Sequence, residues 1–142
     1  MRQRLMALDI GHKRIGVAIS DPLRMTARPL QTLQRRNLDV DAAAIAQLAE
    51  EWDVAEIIVG KPLHLDGRNA LIMQTIQTLV GQIQKHIDLP IRWIDERLSS
   101  KEAEELMAES GIRVADRRSR RDEFAAAVIL RRYLEESSHE PI

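Results

Sequence analysis

The sequence predicts one α/β domain over residues 1–142, built on a five-stranded mixed sheet flanked by helices, with three strands antiparallel and two parallel. Three observations carry this. The first 34 residues hold short apolar segments separated by turn residues, the pattern of strands joined by hairpins. Beyond residue 39, segments of helical periodicity alternate with two short apolar runs, the pattern of parallel strands joined by helical crossovers. A chain of 142 residues with 44% apolar content can bury one substantial core, and 3% aromatics makes that core aliphatic.

Taken in order, Arg4 to Ile10 (RLMALDI) reads as a buried strand, Gly11 to Arg14 as a turn and Ile15 to Ser20 as the hairpin partner. Asp21-Pro22 breaks that strand, and a third strand falls near Pro29 to Gln34. Asp39 to Trp52 is predicted helical, with Ile45, Leu48, Ala49 and Trp52 on one stripe and Asp39 or Asp41 near the cap. Ala55 to Val59, apolar apart from Glu56, is a strand ending at Gly60. Lys61 to Arg68, containing Pro62 and Asp66-Gly67, reads as a loop. Ala70 to His86 repeats Ile72, Ile76, Leu79, Val80 and Ile83 at helical spacing. Ile91 to Asp95 is the fifth strand. Ser99 to Glu109 is a helix capped by Ser99 or Ser100, with Glu102 three residues after Ser99 as in a capping box. Gly111 to Ser119 reads as a polar, arginine-rich loop, and Arg121 to Glu136 as the last helix, its apolar face flanked by basic residues.

Composition excludes several functions. A net charge of -1 gives no global field toward nucleic acid or membrane. Without cysteine there are no disulfides, thiolate zinc sites or cysteine nucleophiles. No segment approaches the roughly 20 apolar residues of a membrane span, and Asp9 interrupts the apolar start, so a cytoplasmic protein without a membrane partner is expected. The charge is nevertheless uneven. The first 36 residues carry eight Lys or Arg against Asp9 and Asp21, and Arg113 to Arg132 carries seven Arg against three acids. These stretches are either solvated faces or two basic rims around a shared site.

Three acids stand at the ends of core elements. Asp9 interrupts an apolar strand, where a carboxylate is costly unless paired, hydrogen-bonded or bound to metal, although it could also cap the turn at Gly11. Asp95 and Glu96 end the fifth strand and point to opposite faces if it continues, so only one can share a site with Asp9. Asp122 begins the predicted last helix, where capping alone would also favour an acid. An oxygen-only donor set suits Mg²⁺ or Mn²⁺. No competing nucleophile–base pair is evident. His86 and His139 read as surface residues, whereas His12 and His64 lie in the loops nearest the acids.

The runs ALDIGHKRIGVAISDP, VGKPLHLDG, IDERLSS and RDEFAAAVILRRYLE, spanning Leu5 to Tyr133, resemble in order the YqgF family, also called RuvX. Its members are described both as Holliday junction resolvases and as pre-16S rRNA nucleases, with a fold resembling RuvC and RNase H. The resemblance implies an RNase H-like, metal-dependent nuclease using one or two Mg²⁺ or Mn²⁺ ions. It places the catalytic and metal-holding acids on Asp9, Glu96 and Asp122, with Asp95 as the alternative to Glu96. Gly11, Lys13 and Gly16 match the family's first turn, and Gly60, Pro62, Asp66 and Gly67 its later loop. Lys61, where an apolar residue is usual, and the arginine cluster from Arg117 to Arg121 are departures. Lys13, Arg14, Lys61, Arg97, Arg118 and Arg121 are the expected phosphate contacts, with little sequence reading. Structured RNA is the expected partner of a monomer or homodimer, and processing of the 5′ end of pre-16S rRNA the expected role. The alternatives are a resolvase acting on branched DNA and a non-catalytic nucleic-acid-binding module.

Overall fold

The computed structural model describes residues 3–62, 67–96 and 100–138. Five strands and four helices follow in the order β1 (Arg4–Ile10), β2 (Arg14–Ser20), β3 (Ala27–Gln34), α1 (Leu38–Glu51), β4 (Val54–Pro62), α2 (Gly67–His86), β5 (Ile91–Glu96), α3 (Ser100–Glu109) and α4 (Val114–Ser138). The strands form one sheet in the order β3-β2-β1-β4-β5. The β1–β2 and β2–β3 pairs are antiparallel, and the β1–β4 and β4–β5 pairs are parallel. The mixed sheet read from the sequence is therefore the one observed.

Strand alternation splits the core into two layers. Met6, Leu8, Ile10, Ile15, Val17 and Ile19 face α1 and α2. Leu5, Ala7, Ala18 and Ile58 face α3 and α4. The residues on this second face of β2 are small, and α4 meets them with Ala126 and Ala127. Small residues on both sides let a helix lie close to a sheet. Burial of each large aliphatic side chain in the two layers contributes about 1.5–3 kcal/mol. Among the described residues no helix is long and apolar enough to cross a membrane.

The structure corrects three local expectations. The stretch expected as an arginine-rich loop over Gly111 to Ser119 is mostly helix, because α4 begins at Val114. Only Gly111, at φ +74°, and its neighbours make the turn from α3. Arginine is a good helix former; Arg120 pairs with Glu123 one turn along α4, and Arg113, just before the helix, pairs with Asp116 in its first turn. Asn37, rather than Asp39 or Asp41, caps α1 by accepting from the Val40 amide at 2.9 Å. Asp41 is buried instead, accepting from Arg35 Nε at 2.8 Å and the Arg36 amide at 3.0 Å. Finally, β4 runs through Lys61 and Pro62, so the first two residues of the expected loop are strand. His64, Asp66, Arg97, Ser99 and His139 lie outside the described residues.

Candidate active site

Asp9 is the last residue of β1 to face α4, in line with Leu5 and Ala7. It pairs in register with Gly16 of β2. A Cβ on Gly16 would stand 1.8 Å from the Asp122 carbonyl oxygen and 2.3 Å from its carbonyl carbon. The missing side chain thus lets the α4 backbone rest on β2 beside Asp9, and the residue of α4 at that crossing is Asp122. Helix and strand are registered by a glycine, and the two acids are neighbours as a result.

Glu96 reaches the same place from farther away. It ends β5, on the same side of that strand as Ile94, which packs in the α3/α4 layer. β4 separates β5 from β1, so the Glu96 and Asp9 side chains must lean toward each other over β4 to bridge two strand spacings, roughly 9–10 Å. Gly60 of β4, paired with Ile94, clears that path. A Cβ there would lie 3.4 Å from Glu96 Oε2 and 2.8 Å from Ile129 Cδ1. The Glu96 and Asp9 carboxyls meet within hydrogen-bonding reach.

The electrostatics follow from this convergence. Burial, and then the charges of Glu96 and Asp122, hold the Asp9 carboxyl well above the usual carboxylate range. Burial also raises Glu96, opposed by its contact with Asp9 and by the Arg132 charge. The Asp9–Glu96 pair therefore keeps a proton beyond the pH at which a solvated carboxyl loses one. Asp122 is engaged elsewhere, accepting from Arg14 Nε at 2.7 Å.

Asp9, Glu96 and Asp122 are thus brought to one face of the sheet, at the carboxyl ends of β1 and β5, where α/β sheets commonly bind ligands. Asp122 is not at a helix start, as expected from the sequence, but eight residues into α4. Helix capping therefore does not account for it. Asp95 is half-exposed, and its carboxylate lies 3.8 Å from Lys61 Nζ. It is Glu96 that turns toward Asp9. Among the described residues, no three acidic or imidazole groups stand close enough to enclose a metal ion. The donor chemistry nevertheless suits a hard divalent cation: Asp9, Glu96 and Asp122 offer carboxylate oxygens only, and the Asp9 carboxyl feels the charges of the other two.

The expected basic residues divide. Lys13 and Arg14 sit at the hairpin turn beside Asp9, both exposed. Arg118 is exposed one turn before Asp122 on α4, hence on the same helix side. Arg121 and Arg117 instead turn to Glu104 of α3, at 3.5 and 3.4 Å. This part of the arginine-rich stretch ties two helices together and is not wholly a rim for phosphate. His12 is exposed, and His86 contacts Asp39 at 2.9 Å, away from the acids. Sequence reasoning missed Arg132, which acts on Glu96 and bonds to Glu102. Helical spacing from Asp122 through Ile129 would have placed it on the site's side of α4.

A family model described as RuvX: Holliday junction resolvase matches residues 3–136. A candidate pre-16S rRNA nuclease of Syntrophus aciditrophicus is 40% identical over 140 residues, covering 98% of this chain and 93% of that one. Another from Koribacter versatilis is 39% identical over 132 residues, covering 93% and 86%. Among solved structures, Thermus thermophilus RuvC in complex with a Holliday junction substrate superposes with a TM-score of 0.68 at 14% identity, covering 99% of both chains. The fowlpox virus resolvase bound to Holliday junction DNA gives 0.59 at 13% identity, covering 94% of this chain and 98% of that one. These two likenesses carry the fold, which is of the RuvC resolvase type, and the family match with the relatives at about 40% identity places the sequence: the chain belongs to the RuvX family.

Proposed function

We propose that the chain is a metal-dependent nuclease that hydrolyses phosphodiester bonds and matures the 5′ end of pre-16S rRNA in the cytoplasm. The observation that carries the chemistry is the Asp9–Glu96 carboxyl pair, with Asp122 seated beside it where α4 crosses Gly16. A protein that only bound nucleic acid would gain nothing from acids that repel phosphate. The substrate assignment rests on the relatives, which carry the name of a pre-16S rRNA nuclease.

Asp9, Glu96 and Asp122 would hold Mg²⁺ or Mn²⁺. A divalent ion so bound supplies positive charge to the phosphate oxygens and lowers the pKa of an attacking water. The chain's own residues do the rest. The Asp9–Glu96 proton must leave before both carboxylates can face a cation. Lys13 and Arg118, exposed on either side of the acids, neutralise neighbouring phosphates and fix the register of the strand. The one exposed aromatic among the described residues is Trp93, on β5, and it is only 39% exposed. Recognition therefore runs through backbone shape more than through base stacking.

A resolvase reading is favoured by the description of the matching family model. It requires two such sites acting across a symmetric junction, hence a dimer. The deciding experiment incubates the protein with a precursor RNA spanning the 5′ end of 16S rRNA and, in parallel, with a four-way DNA junction, each with Mg²⁺, Mn²⁺ or chelator. Metal-dependent cleavage of the RNA, abolished by Asp9→Asn in a folded protein, is expected. Cleavage of the junction alone, by a dimer, would establish the resolvase reading, and cleavage of neither would leave a binding module.

A further inference from the structure

We infer that Arg14 is a positioning residue that alternates between two partners: it holds Asp122 while the carboxylate site lacks a divalent ion, and turns to substrate phosphate once the ion takes Asp122. The inference rests on the proposed metal-dependent reading of the same site.

The geometry is that of a replaceable contact. Arg14 Nε donates to Asp122 Oδ2 at 2.7 Å, and neither side chain makes another hydrogen bond or ion pair among the described residues. Four of the five guanidinium N–H donors are therefore unused. The pair is open to water, with the Arg14 and Asp122 side chains 46% and 30% exposed, so it is screened and breaks cheaply. The same molecule shows what a structural arginine–aspartate pair looks like. Arg35 and Asp41 are 16% and 4% exposed, and Arg35 also donates to the Gly11 carbonyl at 3.0 Å. Asp41 in addition accepts from the Arg36 amide at 3.0 Å. Nothing of that kind anchors Arg14 to Asp122.

Position gives the contact its consequence. Arg14 lies two residues before Gly16 on the same strand face, and Gly16 is the partner of Asp9 and the seat of the Asp122 backbone. An arginine cation and a divalent ion would thus draw on the same carboxylate from the same side of the sheet, and each weakens the other's hold. Once released, the planar fork of Arg14 presents paired donors of the kind that grip phosphate. Two ligands that bias one side chain must be linked reciprocally. Metal binding should therefore raise the contribution of Arg14 to nucleic-acid affinity.

The test uses the full chain and two binding readouts. Mn²⁺ is titrated into the wild type, Arg14→Gln, Arg14→Lys and Asp122→Asn, and free Mn²⁺ is read by its electron paramagnetic resonance signal. Arg14→Gln should bind Mn²⁺ about two- to fivefold more tightly than the wild type, the range an exposed ion pair supports. Arg14→Lys should stay near the wild type. A fluorescent RNA hairpin is then bound at fixed salt in Ca²⁺ or in chelator, and Arg14→Gln should weaken binding more in Ca²⁺. Unchanged or weaker Mn²⁺ binding in Arg14→Gln, or an equal loss of RNA affinity in both conditions, overturns the alternation while leaving the metal site standing. Mn²⁺ binding that Asp122→Asn does not disturb, or its absence in the wild type, overturns the metal site itself and the alternation with it.

Discussion

Replacing Gly16 by alanine would drive a methyl group into the backbone of α4. The new Cβ would lie 1.8 Å from the Asp122 carbonyl oxygen, about 1.2 Å short of the 3.0 Å below which such contacts are essentially unseen. The opposing atoms are main chain, so no rotamer change relieves the clash. Either α4 lifts from β2 or the hairpin bends, and both carry Asp122 away from Asp9 by about that distance. Overpacking of this kind costs about 1–3 kcal/mol, against a total stability of about 5–15 kcal/mol. The variant should therefore fold. A displacement of about 1 Å in a catalytic group costs on the order of 10²-fold in rate. Urea denaturation followed by single-turnover cleavage of the precursor RNA reads both quantities on one preparation. Wild-type stability together with wild-type turnover in Gly16→Ala would refute the claim that this glycine sets the helix on the strand and the acid in the site.

Gly81→Ala is the matching control: nothing lies within 4 Å of the new Cβ, which sits inside α2. It should raise stability by about 0.5–1 kcal/mol in the same urea experiment, with turnover unchanged. Gly60→Ala is expected to be intermediate, because its 2.8 Å contact is with the Ile129 side-chain tip, which can move, while the 3.4 Å contact with Glu96 crowds the path to Asp9. Melts should show a loss near 1 kcal/mol, with a larger fractional loss of activity than of stability. Asp9 and Glu96 have folded-state pKa values raised above their ordinary values of 3.8 and 4.5. Their contribution to stability is full below those ordinary values and is lost as pH rises through the raised ones. In chelator, the wild type should accordingly lose stability as pH rises above the ordinary carboxylate range. Asp9→Asn should flatten that loss in thermal melts across pH 4 to 8, and an unchanged slope would contradict the Asp9–Glu96 pairing.

The sheet was legible because its strands alternate cleanly and its hairpins are short: Ile15, Val17 and Ile19 on one face of β2 with Gly16 and Ala18 on the other are readable as they stand. Asp9 was legible for the same reason, as an acid that breaks an apolar strand. Glu96 and Asp95 could not be separated by residue type or spacing. The choice depends on which face of β5 looks toward α4, and on Gly60 of the preceding strand, distant in sequence but adjacent in the sheet. The beginning of α4 was misread because its polarity resembles a loop, whereas its charges are satisfied by pairs within the helix and by Glu104 of α3. The misplaced helix start also gave Asp122 a capping role it does not have. Gly16 and Gly60 stand out in the sequence only as glycines. Their function, letting a backbone and a side chain pass, exists only once three elements have packed.

The most direct measurement of the central claim is anomalous diffraction from crystals soaked in Mn²⁺. A peak is expected between Asp9, Glu96 and Asp122. Arg14 is also expected to have left Asp122. A fully soaked crystal with no peak at these three residues, or with its peak at Asp95, would contradict the claim.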